Sequence, residues 1–144
     1  MGHVPTGEIP SACARADLPR RQYRRTGARR SPLTARRLGE LGERIAADYL
    51  VRRGFSIVDR NVRIGRGEID LVVERAGTRV AVEVKSSWIG ERSVDGKDPL
   101  DAFDEPKATQ VWSLARHLDV CRVDLVAVAF SVEGVEIRWV PGAA

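Results

Sequence analysis

The sequence predicts one α/β domain with the element order αβββαββ, on three observations. A helical apolar period starts at Thr34, three strand-like runs separated by glycine turns fill Phe55 to Ser86, and a second helical period leads into two more strands. A chain of 144 residues suits one such domain with an appendage, since single domains commonly run to ~100–200 residues. The domain is expected over residues 34–141, behind a disordered basic arm at 1–33.

Leu38, Leu41, Ile45 and Tyr49 recur at threes and fours, and Gly54 is placed to stop the first helix. Strand-like runs follow at Phe55 to Val62, Glu68 to Glu74 and Arg79 to Ser86, with Ile64-Gly65-Arg66-Gly67 and Arg75-Ala76-Gly77-Thr78 between them. A polar stretch, Trp88 to Asp98, precedes a helix starting near Asp104-Glu105-Pro106, where proline suits the first turn. That helix should turn Ala108, Val111, Leu114, Ala115 and Leu118 inward. Arg122 to Ser131 reads as an apolar strand paired with Val135 to Val140 across a tight turn at Glu133-Gly134.

The hairpin of residues 68 to 86 carries the chemistry. Turning symmetrically about Ala76-Gly77, it sets Asp70 opposite Glu83 and Glu68 opposite Lys85, all four on one face because strand side chains alternate. The other face, with Ile69, Leu71, Val73, Val80, Val82 and Val84, is apolar and expected to be core. Two opposed carboxylates repel each other at ~5 Å, so a cation is the natural compensation, and Mg²⁺ accepts one or two carboxylates together with water and phosphate oxygens. Glu68 reads equally as a further ligand or as the ion-pair partner of Lys85. Glu43 shares a helical stripe with Ala46, Ala47 and Leu50 and can face the hairpin. Arg63 and Arg66, in the loop before Glu68, read as phosphate contacts. Lys107 and Gln110, one turn apart, are phosphate donors or ordinary surface. Trp88 is the stacking candidate, Trp112 and Trp139 read as packing, and Arg122 with Asp124 as a structural pair. Of the two cysteines, Cys13 and Cys121, the second reads as a small buried hydrophobe.

Asp70, twelve intervening residues and then Glu83-Val84-Lys85 resembles the PD-(D/E)XK motif of restriction-endonuclease-like nucleases, with Ile69 in place of the motif's proline. The surrounding text is similar to the YraN-like family of uncharacterised bacterial proteins over residues 38 to about 140. It comprises Gly42-Glu43, Ala46, Tyr49-Leu50, Gly54, Asn61 with Arg63, Gly67 to Leu71, Val82 to Lys85, Lys107, and Arg122 with Asp124. The resemblance implies a restriction-endonuclease-like fold, a mixed central sheet flanked by helices, close in architecture to archaeal Holliday-junction resolvases. It implies a role on DNA, branched or recombination structures included, as a Mg²⁺- or Mn²⁺-dependent endodeoxyribonuclease. Asp70 and Glu83, with the Val84 carbonyl, would ligate the ion, Glu43 and Glu68 would assist, and Lys85 would be the catalytic lysine. Resolvases act as dimers, so a homodimer is among the implied partners. The alternative is a DNA-binding accessory protein that keeps the acidic patch without turnover.

Charge is unevenly spread. Residues 1 to 38 carry nine arginines against Glu8 and Asp17, a net of +7, whereas residues 39 to 144 carry 15 basic and 18 acidic residues, a net of −3. The high pI of about 9.6 therefore belongs to the N-terminal segment, where arginine pairs among four prolines suit a disordered arm that reads equally as a neutraliser of phosphates or as an incidental extension. No run approaches the ~18 apolar residues of a membrane span, and no apolar signal segment opens the chain. A cytoplasmic location is the expectation. Two cysteines cannot build a disulfide framework or a cysteine zinc site, and neither GxxxxGK[ST], HExxH nor GxSxG occurs.

Overall fold

The computed structural model describes residues 33–89 and 99–144. The expectations for the arm, for Cys13 and for most of the stretch Trp88 to Asp98 fall outside them. Helix α1 (Ala35–Val51) leads to strands β1 (Ser56–Ile64), β2 (Gly67–Arg75) and β3 (Thr78–Trp88); helix α2 (Glu105–Ala115) is followed by β4 (Arg122–Ser131) and β5 (Gly134–Val140). The predicted order αβββαββ holds. A short 3-10 turn, Pro99–Ala102, precedes α2 and has no counterpart in the sequence reading. Among the described residues no helix is long and apolar enough to cross a membrane.

The helix ends follow from local chemistry. The Thr34 hydroxyl accepts from Arg37 N–H and caps α1, and Gly54 takes a positive φ of 89° just beyond it, a conformation that costs glycine nothing. The Asp104 carboxylate accepts from Lys107 N–H at 3.0 Å and caps α2, whose first turn holds Pro106. Helix α2 ends at Ala115, so Leu118 packs from the following turn.

The strands form one five-stranded sheet in the order β1-β2-β3-β4-β5. All neighbouring pairs are antiparallel except β3 and β4, which run parallel because α2 carries the chain back across the sheet. The sheet is therefore mixed and flanked by helices, the architecture the sequence predicted. The final hairpin turns at Val132-Glu133, one residue earlier than expected, because Ser131 pairs with Gly134.

Both sheet faces are core. On one side Leu38, Ala46, Ala47 and Leu50 of α1 pack on Leu71, Val73, Val80, Val82, Val84, Val126 and Val128. On the other Val111 and Ala115 of α2 pack on Ile69, Val72, Ala81 and Val123. Alternation alone predicts one apolar face for the central hairpin and an uncovered polar face; in the structure α2 buries that second face through Val72 and Ala81. Gly42 of α1 lies so close to β3 that a side chain there would collide with Ser86.

Two further expectations are corrected. Cys121 is exposed, because it lies just before β4 rather than within the sheet. Trp112 is 37% exposed, on the outer side of α2. Trp139, in contrast, packs edge-on against Phe55 with ring centres 5.8 Å apart.

Candidate functional site

The predicted hairpin register is present from Arg75↔Thr78 to Leu71↔Val82. Among the described residues the backbone pairing of β2 with β3 ends there, one step before Asp70 and Glu83. Beyond that point β2 continues against β1 and β3 against β4, so the two strands fork. Side-chain alternation breaks at the same place: Ile69 and Val72 face α2, whereas Leu71 faces α1. Opposite the break in β1 stands Asn61, with a positive φ of 50° between the pairs Arg60↔Leu71 and Val62↔Ile69. Asparagine enters this region at lower cost than most residues.

Asp70 sits in the fork and closes it with its side chain. Its Oδ2 accepts the Val84 backbone N–H at 2.7 Å, replacing a lost ladder bond by a shorter, charge-assisted one. The Asp70 carboxyl is raised to about 7, first by burial and then by the neighbouring Glu83, against the lowering effect of the Val84 bond and of Lys85. The two acids read from the sequence as mutually repelling do repel each other, across a fork rather than in a flat pair.

Glu83 is only 3% exposed. Its Oε1 receives Lys85 Nζ at 2.8 Å and Lys107 Nζ at 3.1 Å, and a carboxylate so buried needs such partners. Lys107, read as a phosphate donor or surface residue, is thus turned inward from the first turn of α2 onto Glu83. Gln110, one turn on, is exposed. Lys85 pairs along its own strand with Glu83, and the opposition of Glu68 to Lys85 does not form, because the strands have separated before reaching it.

Glu68 instead pairs across β1 with Arg63, 3.5 Å away. The Asn61 amide, oriented by the acceptors around it, donates to Glu68 Oε1 at 3.1 Å and to Glu43 Oε2 at 3.2 Å. Glu43 from α1 thereby joins the site from outside the hairpin, as its helical stripe suggested. Its carboxyl is raised first by burial and then by Glu68, with smaller raising contributions from Glu40 and Glu83 and a lowering one from Asn61. Arg66 is exposed at the β1–β2 turn. Asp124, the other buried acid, belongs to a separate structural network. It accepts two bonds from Arg122, at 2.8 and 3.1 Å, and one each from Trp139 Nε1 and the Gly142 N–H.

Asn61 was visible in the sequence only as part of a family pattern. An asparagine in the middle of a strand run was the physical signal available, since the residue is depleted in strands and tolerated at positive φ.

Among the described residues no three aspartate, glutamate, histidine or cysteine side chains converge into a ready metal cage. Asp70 and Glu83 nonetheless offer the hard oxygen donors that Mg²⁺ or Mn²⁺ takes in pairs, the rest of the shell being water and phosphate. Their fit to such an ion rests on that donor chemistry: Asp70 is raised first by burial and then by Glu83, and a divalent cation would relieve the second effect.

The profile of the uncharacterised protein family UPF0102 matches residues 42–128, the segment holding every one of these site residues. A UPF0102 protein of Symbiobacterium thermophilum is 50% identical over 105 residues, covering 69% of this chain and 88% of its own length. Another, of Syntrophotalea carbinolica, is 38% identical over 114 residues, 74% of this chain and 89% of its own. Among solved structures, an fdxN element excision controlling factor protein from Anabaena variabilis aligns at a TM-score of 0.43 and 15% identity, covering 70% of this chain and 98% of that one. An XisH family protein from Nostoc punctiforme aligns at a TM-score of 0.39 and 16% identity, with coverages of 69% and 98%.

Proposed function

The chain belongs to the uncharacterised protein family UPF0102, and from that premise we propose that it is a divalent-metal-dependent endonuclease hydrolysing DNA phosphodiesters at the fork between β2 and β3. The observation that carries the reading is Asp70, held in the fork by Val84 N–H at 2.7 Å and raised to about 7 by burial beside Glu83, with Lys85 on the adjoining strand. A half-buried Asp70 beside the buried Glu83, flanked by a lysine, is unfavourable as plain structure and suited to a cation-dependent centre.

Asp70 and Glu83 would hold Mg²⁺ or Mn²⁺, which supplies a charge to bind the scissile phosphate and to activate a water. The chain's own groups prepare that centre. Val84 N–H fixes the Asp70 carboxylate in rotation, Lys107 anchors Glu83 from α2, and Lys85 Nζ stands ready to meet a phosphate oxygen or orient a water. Glu43 bounds the site on the α1 side. A second reading, a DNA-binding accessory protein without turnover, is favoured by one fact: Glu83 Oε1 is already bridged by two ammonium groups, which compete with an incoming ion for that oxygen.

Cleavage assays on branched, single-stranded and duplex DNA with Mg²⁺ or Mn²⁺ separate the two. The wild-type protein is expected to cut at least one substrate, and Asp70→Ala and Lys85→Ala to lose at least a hundredfold in rate, in the range seen when groups acting on developing charge are removed. Metal-dependent DNA binding with no cutting of any substrate would leave the accessory reading standing.

A further inference from the structure

We propose that Asn61 is a positioning residue that presets Glu43, and with it Glu68, for the metal centre, an inference resting on the divalent-metal reading above. Two independent features meet at this residue. Asn61 takes a φ of 50° inside β1, where the neighbouring residues keep their partners in β2 on both sides. The irregular conformation is thus confined to one residue, directly across from the Asp70 fork. Its amide donates at 3.1 and 3.2 Å to two carboxylates from different elements, Glu68 on β2 and Glu43 on α1. Among the described residues Lys85 and Lys107 are both committed to Glu83, and the basic partner of Glu68 is the exposed Arg63 at 3.5 Å.

The consequence is geometric. Glu43 rises from a helix packed on the sheet through Gly42, and a glutamate has three rotatable bonds with which to swing into solvent. The backbone at Asn61 aims an uncharged two-proton donor at both acids, holding them together in the absence of a cation. A lysine in that place would cancel one of the two charges and compete with an ion, whereas an amide holds the oxygens and leaves their charge in place. Groups that orient metal-ligating side chains in this way typically change metal affinity by ~10–100-fold when removed.

Asn61→Gly isolates the amide from the backbone, because glycine adopts the same positive φ without cost, while Asn61→Ala serves as the backbone-strain control. Mn²⁺ binding is read by titration of the unfolding temperature in the absence of DNA. The wild-type protein is expected to be stabilised by Mn²⁺. Asn61→Gly should keep its metal-free unfolding temperature within a degree or two while requiring roughly tenfold or more Mn²⁺ for half-maximal stabilisation. In a Glu43→Gln background the effect of Asn61→Gly should shrink, since the amide acts through Glu43. Where DNA cleavage is observed, saturating Mn²⁺ should restore the Asn61→Gly rate, a rescue that a merely structural residue would not give.

Absence of any Mn²⁺ response in the wild-type protein overturns the metal reading on which the inference rests. A wild-type response matched at the same Mn²⁺ concentration by Asn61→Gly overturns the inference alone. So does a lowered metal-free stability with unchanged Mn²⁺ dependence, which assigns Asn61 to the fold.

Discussion

Asp70 makes the stability of the protein depend on pH in a direction opposite to that of most surface acids. Its carboxyl is raised from 3.8 to about 7, chiefly by burial and then by Glu83, so the folded state binds its proton more tightly than the unfolded chain does. The stabilising proton is fully present below about pH 4 and is lost as the pH rises through about 7. Asp70→Asn, which keeps an oxygen for Val84 N–H, should therefore be more stable than wild type at pH 8, by on the order of a few kcal/mol, and the difference should vanish near pH 4. Metal-free denaturant titrations at several pH values check this, and a difference independent of pH would contradict it. The acidic pair itself was legible in the sequence, since hairpin symmetry brought Asp70 to Glu83. Its surroundings were not. The lysine bridge from α2 to Glu83 and the Asn61 bridge to Glu43 join elements distant in sequence, and no local period encodes where their side chains end.

At the scale of elements, the fork opens where β2 keeps β1 but parts from β3. From Gly67 to Leu71 it is held by β1, and from Leu71 onward it is held by β1 and β3 together. Strand identity was readable from alternation and from the glycine turns, as was the register of the hairpin as far as Leu71↔Val82. The end of that register was hidden, because alternation within β2 and β3 does not mark where they part, and Asn61, opposite the break, lies in a third strand. Helix α1 fixes the upper wall of the fork, and its distance from the sheet is set by Gly42, where an added methyl would meet Ser86 Oγ and Cβ. Gly42→Ala should therefore lift the helix and cost about 1–3 kcal/mol, as overpacking of tight cores does. Ser86→Gly, which clears the space, should recover most of that loss in the double variant. Equilibrium unfolding of the two single variants and the double tests the pair, and strictly additive losses would show that the contact does not set the helix position.

Across the whole molecule, charge is divided unevenly between the N-terminal segment and the folded part. The fork is acidic, and Arg63 and Lys107, two of the basic residues expected near it, are spent on Glu68 and Glu83. Residues 1–32, in contrast, carry seven arginines and only Glu8 and Asp17 as acids. Each cation that neutralises a phosphate adds close to one unit to the slope of binding against salt, because a condensed counterion is released. If the arm holds DNA, deleting residues 1–32 should weaken binding at low salt and reduce that slope by several units. The cleavage rate on fully bound substrate should change little, since every proposed site residue lies at or beyond Glu43. Binding isotherms at four or five salt concentrations, measured for the full chain and the truncated one, decide the matter. A slope that survives the deletion would transfer the phosphate contacts to the folded part, where Arg66 at the β1–β2 turn is exposed. A slope that falls together with the cleavage rate on bound DNA would mean instead that the arm acts at the fork itself.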